Sequence, residues 1–400
     1  MDTALKQIAK KNMRLSLAIY TLSTVSTLTA TGTLMQTFLA TLGLPASWIY
    51  IHATVTQAVN VLTLLLTARW VKADNAIARN ALATIPYGLI FLAVIPFFLR
   101  QSATPETFLW LIIIGALQAT ASGLRTVCTY ILPYILYSAE DYGPLQSVSG
   151  IVSSVVSLSL GGLVSFLTGR IAFSVLMTGA CILSAGLTLL EAVLILQHRS
   201  ILPQNTIPGQ NRGKRSASLW ETFRHPVFYT LALPALLRGF ASGTTTVFAA
   251  MAFDLGFDET LTTNLLYLQS AAGLAGCGLI GFLSRRCSIR IPVLAGSLSF
   301  LLLPLFFLES GPIFMAAATA VILGRTLVDY GVPILQRRAG PNHIAGTYNA
   351  WRMVLHSGGT LLATSAAAVL TSKALIGITV VFSLLSGCGF FFSSAIRRAE

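Results

Sequence analysis

RTVCTYILPYIL, starting at Arg125, and RTLVDYGVPILQ, starting at Arg325, are the two stretches on which the fold turns. Aligned without gaps, they match Arg125, Thr126, Tyr130 and Pro133 to Arg325, Thr326, Tyr330 and Pro333 at a constant offset of 200 residues. Each stretch lies in a long apolar run. Arginine is costly there because its charge leaves water, and proline because it removes a helical hydrogen bond. Two costly residues recurring at one spacing mark an internal repeat.

Outward from these stretches the chain keeps the same character. Of its 400 residues, 54% are hydrophobic and only 10% are charged, against about 25% charged in a soluble domain. Apolar runs of roughly 20 residues, the length that crosses a bilayer as an α-helix, follow one another between short polar breaks. They fall at 15–40, 47–68, 80–99, 107–136, 144–167 and 170–196, then at 226–252, 259–284, 291–309, 312–335, 345–370 and 374–396. The one long break, 197–225, carries Pro203, Pro208, Gly209, Gly213 and clustered bases, and reads as a linker. The expected architecture is an all-α membrane protein of twelve transmembrane helices in two pseudo-symmetric six-helix bundles, 1–196 and 226–400. Leu42-Gly43-Leu44 and Leu255-Gly256-Phe257 echo each other at the first turn of each half, as a parallel repeat requires.

The net charge of +13 follows topology rather than a nucleic-acid footprint. With the first span leaving the cytoplasm, the inside segments hold Lys6, Lys10, Lys11 and Arg14, then Arg69, Lys72 and Arg79, then Arg199, Arg212, Lys214, Arg215 and Arg224. Arg285, Arg286, Arg290, Arg337, Arg338, Arg397 and Arg398 continue the set, while outside loops hold only Arg100, Arg170 and Lys373. This asymmetry is the positive-inside rule, and it puts both termini in the cytoplasm. The predicted location is a bacterial cytoplasmic (inner) membrane. The run after Arg14 is too long for a signal-peptide core and reads as the first span. Cys128, Cys181, Cys277 and Cys388 lie in apolar runs and Cys287 in a loop, without a CxxC pair, so they read as small hydrophobes.

Six plus six spans, a basic central loop and a half-to-half repeat resemble the major facilitator superfamily over the whole chain. That family's loop signature, Gly-x-Leu-Ala-Asp-Arg-x-Gly-Arg-Arg, is approached by GFLSRRCSIR from Gly281, where Gly281, Leu283, Ser284 and Arg286 fit. The first-half counterpart, ARWVKADNAIAR from Ala68, fits less, and in both copies a base, Lys72 or Arg285, replaces the family's acid. The Gly-Pro pair of proton-driven drug exporters is absent, with Ser157-Leu158 in its place. The resemblance implies solute transport by alternating access, with spans five and eight, and two and eleven, meeting across the halves. Small residues suit those contacts: Ser149, Ser153, Ser157 and Gly161, then Gly273, Cys277 and Gly281, then Gly358 and Gly359.

Charges inside spans point to function. Arg125, Arg238 and Arg325 stand near mid-membrane, against the two acids Asp329 and Glu191, which leaves a positive surplus. An electropositive cavity binding a small polar or anionic organic solute is the expected site, because guanidinium forks pair two oxygens at once. Tyr130 and Tyr330, tied to the arginines by the repeat, join them as solute-binding candidates. So do Thr27 and Thr31, on a hydroxyl stripe with Tyr20 and Thr24, and Gln57 of the second span. Asp329, Glu191 and His356 are the candidates for coupling to protons or another ion. Structural roles remain open: Arg325 with Asp329 as a static i,i+4 pair, Arg125 capping carbonyls near Pro133, and Arg352 as an interfacial anchor. No HExxH, GxSxG or Gly-rich phosphate loop is present, so no enzyme, cofactor or metal is expected. The chain is expected to act as a monomer. Drug or amphipathic-compound efflux, and a non-transporting receptor or scaffold, stand as alternatives.

Overall fold

The computed structural model describes residues 3–30, 35, 38–39, 42–67, 75–100, 104–137, 139–167, 170–201, 226–283, 288–308, 310–339 and 345–393. Thr31, the loop positions 68–74 and 284–287, and most of the linker (202–225) lie outside them. The first half forms α1 (Thr3–Ala30), α2 (Ala46–Thr67), α3 (Ala76–Arg100), α4 (Pro105–Leu136), α5 (Ala139–Leu167) and α6 (Phe173–Leu196). The second forms α7 (Pro226–Thr246), α8 (Phe248–Asp254), α9 (Glu259–Leu283) and α10 (Arg290–Leu298), which runs on as a 3-10 segment, Ser299–Leu308. It ends with α11 (Gly311–Ala339), α12 (Ala345–Val369) and α13 (Ser372–Phe392).

Three elements differ from the hydropathy reading. α1 starts at Thr3, not near residue 15, because hydropathy locates the bilayer and not the helix end: the Lys-rich first turns are helical as well. The seventh run is broken at Val247. There Thr245 and Thr246 donate to the carbonyls of Ser242 (2.7 Å) and Gly243 (2.6 Å), three residues back, and compete with the helical ladder. The ninth tightens into a 3-10 segment carrying Pro304, which has no N–H to give.

Seven helices among the described residues are long and apolar enough to cross a membrane: α2, α3, α4, α6, α10 with its extension, α11 and α13. α5 and α9 carry further apolar stretches, Val148–Val164 and Tyr267–Leu283. α5 packs on α9 and α2 on α12, so the halves meet through the pairs the sequence resemblance implied, and α7 packs on α12. α3, α6, α10 and α13 instead turn large apolar residues outward, such as Leu82, Leu183, Leu301 and Leu385.

The first turns of the two halves repeat atom for atom. Gly43 and Gly256 have φ of 78° and 82°, a left-handed backbone that glycine adopts without a steric penalty. Leu44 N–H donates to Leu39 O (3.2 Å) and Phe257 N–H to Ala252 O (3.0 Å), each closing a helix with the same six-residue bond. Between these turns Tyr50 of α2 donates to Asp254 Oδ2 of α8 at 2.9 Å, tying the halves at the end distal to the N-terminus.

At the opposite end a polar knot gathers α1, α4 and the chain leaving α6. Asn12 donates to Leu136 O (3.3 Å) and Arg199 O (2.7 Å) and accepts from Arg199 N–H (3.1 Å). Ser16 hydrogen-bonds the Tyr137 hydroxyl and lies 3.0 Å from His198 Nε2, while His198 Nδ1 sits 3.2 Å from Ile195 O. Residues 197–201 therefore stay on the first half, with Ile201 N–H on Ile135 O at 2.9 Å.

Candidate functional site

Two charged centres lie inside the helices. In the second half, α7 and α12 touch backbone to backbone: a Cβ on Gly239 would stand 2.0 Å from His356 O, and one on Gly359 2.1 Å from Leu236 O. Thr360 bonds across the crossing to Gly239 O at 3.1 Å. So close an approach needs small residues on both helices. It holds Arg238, next to Gly239, in the electrostatic neighbourhood of His356, which also feels Asp329, Arg352 and Arg325.

Arg238 donates through Nε (3.1 Å) and Nη2 to Asp329 Oδ1. Arg325, one helical turn before Asp329 on α11, donates through Nε to Oδ2 at 3.1 Å and through Nη1 to Thr245 Oγ1. One carboxylate thus answers two guanidiniums, with Arg238 12% and Arg325 33% exposed. A small cleft opens beside them, lined by Arg238, Ser242, Ser297, Arg325, Ser383 and Ser386 over Ala241, Phe300 and Val328.

In the first half, Arg125 of α4 pairs through Nη2 with Glu191 Oε1 of α6, whose side chain is 2% exposed. The guanidinium also lies over the Tyr87 ring, 4.5 Å from its centroid, a cation–π contact from α3. Thr27 joins this group through the Tyr87 hydroxyl, and it donates to Ser23 O at 2.7 Å. Among the described residues, Glu191 Oε2 is buried without a hydrogen-bond partner.

The sequence candidates therefore separate into two groups: Arg125, Glu191 and Thr27 in one, Arg238, Arg325, Asp329 and His356 in the other. The static reading of Arg325 with Asp329 captures half of a triad that Arg238 completes. Arg125 meets a carboxylate rather than the carbonyls near Pro133. Arg352 is 6% exposed, so it is buried rather than an interfacial anchor. Tyr330 belongs to neither centre. It lies at the α5–α9 contact, where a Cβ on Gly150 would stand 2.8 Å from its ring and Ser154 meets Cys277 at 3.8 Å. Gln57 is half-buried on α2. Thr31 and the Tyr130 side chain lie outside what is described. Cys128, Cys181 and Cys277 are buried free thiols, as small hydrophobes should be, but Cys388 is exposed. Among the described residues, no group of His, Cys, Asp or Glu could hold a metal ion.

Sequence reading missed Tyr87 and Thr245. Tyr87 stands in an apolar run with nothing to single it out. Thr245 sits in the hydroxyl run Thr244-Thr245-Thr246, a signal that was available.

No protein-family model matches the chain, and no curated protein matches it. Solved structures do share its architecture. A bacterial homologue of the iron transporter ferroportin in an outward-facing state superposes with a TM-score of 0.69 at 15% identity, covering 96% of this chain and 98% of that one. The same kind of homologue in an inward-facing state gives 0.63 at 14%, covering 98% of both chains. FucP, a major facilitator superfamily transporter in the outward conformation, gives 0.67 at 12%, covering 97% and 98%. The fold is accordingly the twelve-helix, two-bundle fold of major facilitator transporters, and the chain is a multi-pass membrane protein.

Proposed function

We propose that this chain, built on the major facilitator fold, is a secondary transporter of the cytoplasmic (inner) membrane that moves a small polar or anionic organic solute by alternating access. The observation that carries the reading is the sharing of Asp329 between Arg238 and Arg325. In hydrocarbon a surplus cation costs roughly 2.5–3.5 kcal/mol even on the lenient scale, so it persists beside solvent or an anion. Carboxylate or phosphate oxygens suit the guanidinium edges that Asp329 leaves over.

The bundles 1–196 and 226–400, joined by 197–225, rock against each other, with both termini cytoplasmic and the chain acting as a monomer. Of the proton-coupling candidates, Glu191 has the geometry that suits proton exchange: one oxygen on Arg125 and one buried without a partner. Asp329, held by two cations, acts as the partner from which solute draws the arginines. His356 tunes that pair. Tyr50–Asp254 ties the halves at the outer end.

Uptake into proteoliposomes tests the reading, with organic acids and sugar phosphates supplied with and without a pH gradient. Arg238→Gln and Arg325→Gln each reduce uptake of the transported anion at least tenfold, and Glu191→Gln removes the response to the gradient. Full uptake in both arginine variants overturns the anion site. Outward flux of lipophilic cations points to efflux, and absent flux with ligand-dependent partner binding points to a scaffold.

A further inference from the structure

The cleft beside the triad lies among α7, α10 with its 3-10 extension, α11 and α13, all in the second half. It is therefore inside one bundle and not between the two. Its walls combine buried hydroxyls with two guanidinium tips. Ser242 is 5% exposed and its hydroxyl makes no hydrogen bond among the described residues; Ser297, Ser383 and Ser386 are 2–3% exposed. These three donate to Val293 O (3.1 Å), Ser297 O (3.1 Å) and Pro234 O (2.8 Å), so their protons are already placed. Arg238 uses Nε and Nη2 on Asp329, and Arg325 uses Nε and Nη1 on Asp329 and Thr245. Arg238 Nη1, Arg325 Nη2 and the Ser242 hydroxyl are left as donors without acceptors among the described residues.

Three donors, a surplus of one positive charge and apolar closing walls define what fits. The space has room for about one water-sized particle, far below the roughly 300–1,000 Å³ of organic-ligand pockets. We propose that this cleft binds one small inorganic anion, of which chloride is the common example, held by Arg238, Arg325 and Ser242. The anion neutralises the charge that Asp329 leaves uncancelled, and an anionic solute competes with it for the same net charge. The proposal rests on reading Arg238 and Arg325 as the surplus charge of the solute centre.

Thermal unfolding of the purified chain in sodium chloride, sodium bromide or sodium gluconate at equal ionic strength tests it. Chloride and bromide raise the Tm saturably and gluconate does not. Equilibrium dialysis with radiolabelled chloride finds one ion per chain. Ser242→Val, which replaces the hydroxyl by methyl groups, weakens chloride binding at least tenfold. If that variant fails to fold, Ser242→Ala takes its place with a threefold to tenfold loss. Equal Tm values in chloride and gluconate, or chloride binding unchanged by the Ser242 substitution, overturn the proposal. A solute titration in gluconate judges the transporter reading separately: a solute that still raises the Tm there leaves that reading standing even if chloride has no effect.

Discussion

The two halves hold an arginine at the same place in the same repeat and neutralise it differently. Four residues after Arg325 comes Asp329; four after Arg125 comes Thr129, which only donates to Arg125 O at 2.9 Å. Arg125 takes its carboxylate from α6, and charge balances one to one. In the second half the carboxylate sits on the arginine's own helix, and Arg238 of α7 arrives as a second cation. A shared sequence pattern thus fixes where a cation stands without fixing its counter-charge. The first half thus carries a balanced ion pair and the second a carboxylate shared by two cations. Helix contacts differ in parallel. α7 meets α12 through bare backbone, whereas Gly88 of α3 faces the Thr188 side chain of α6, with 3.0 Å left for an added Cβ.

The largest effect should come from testing those contacts. Gly239→Ala puts a methyl 2.0 Å from a backbone oxygen that no rotamer change can move, and its cost is expected to exceed about 3 kcal/mol, with loss of folded yield. Gly88→Ala should cost about 1–3 kcal/mol, because Thr188 can shift. Equal thermal stability of the two variants would break the contrast.

The charged centres come next. Asp329→Asn strands two guanidiniums and should destabilise by about 3–5 kcal/mol. Glu191→Gln leaves one guanidinium with a neutral acceptor and should cost about 1–3 kcal/mol. Unfolding in detergent should rank Asp329→Asn below Glu191→Gln, and the reverse order would deny the triad its shared carboxylate.

A smaller change probes the tie between the halves. Tyr50→Phe removes one hydrogen bond, about 1 kcal/mol, and should favour opening of the distal end about fivefold. Thiol labelling of a cysteine placed beside Asp254 would read that shift, and unchanged labelling would make the contact incidental.

The smallest concerns the knot that anchors only the first half. Burial holds the His198 imidazole below its ordinary range, so the folded chain prefers it neutral. The unfolded chain gains a proton as pH falls below about 6.5. Stability is therefore lost on acidification through that value and is unaffected above it. Lowering the pH from 7.5 to 5.5 should cut the Tm by about 2 °C, and His198→Gln should abolish that part of the slope.

Much of the fold was readable in advance. Hydropathy located the spans, and Gly43 and Gly256 announced matching turns that the backbone reproduces. The site was less legible. Glu191 lies 66 residues from Arg125, and Asp329 lies 91 from Arg238. Neither separation has any local signature, and Tyr87 had none at all.

Composition and periodicity by themselves determined a bilayer-spanning repeat with buried guanidiniums, because transfer into hydrocarbon acts on each residue of a helix independently. Which carboxylate each guanidinium meets was decided only by tertiary structure. That choice depends on the rotation and distance of neighbouring helices, set by bare glycine faces such as Gly239 on Gly359, and it is a property of pairs that no single stretch encodes.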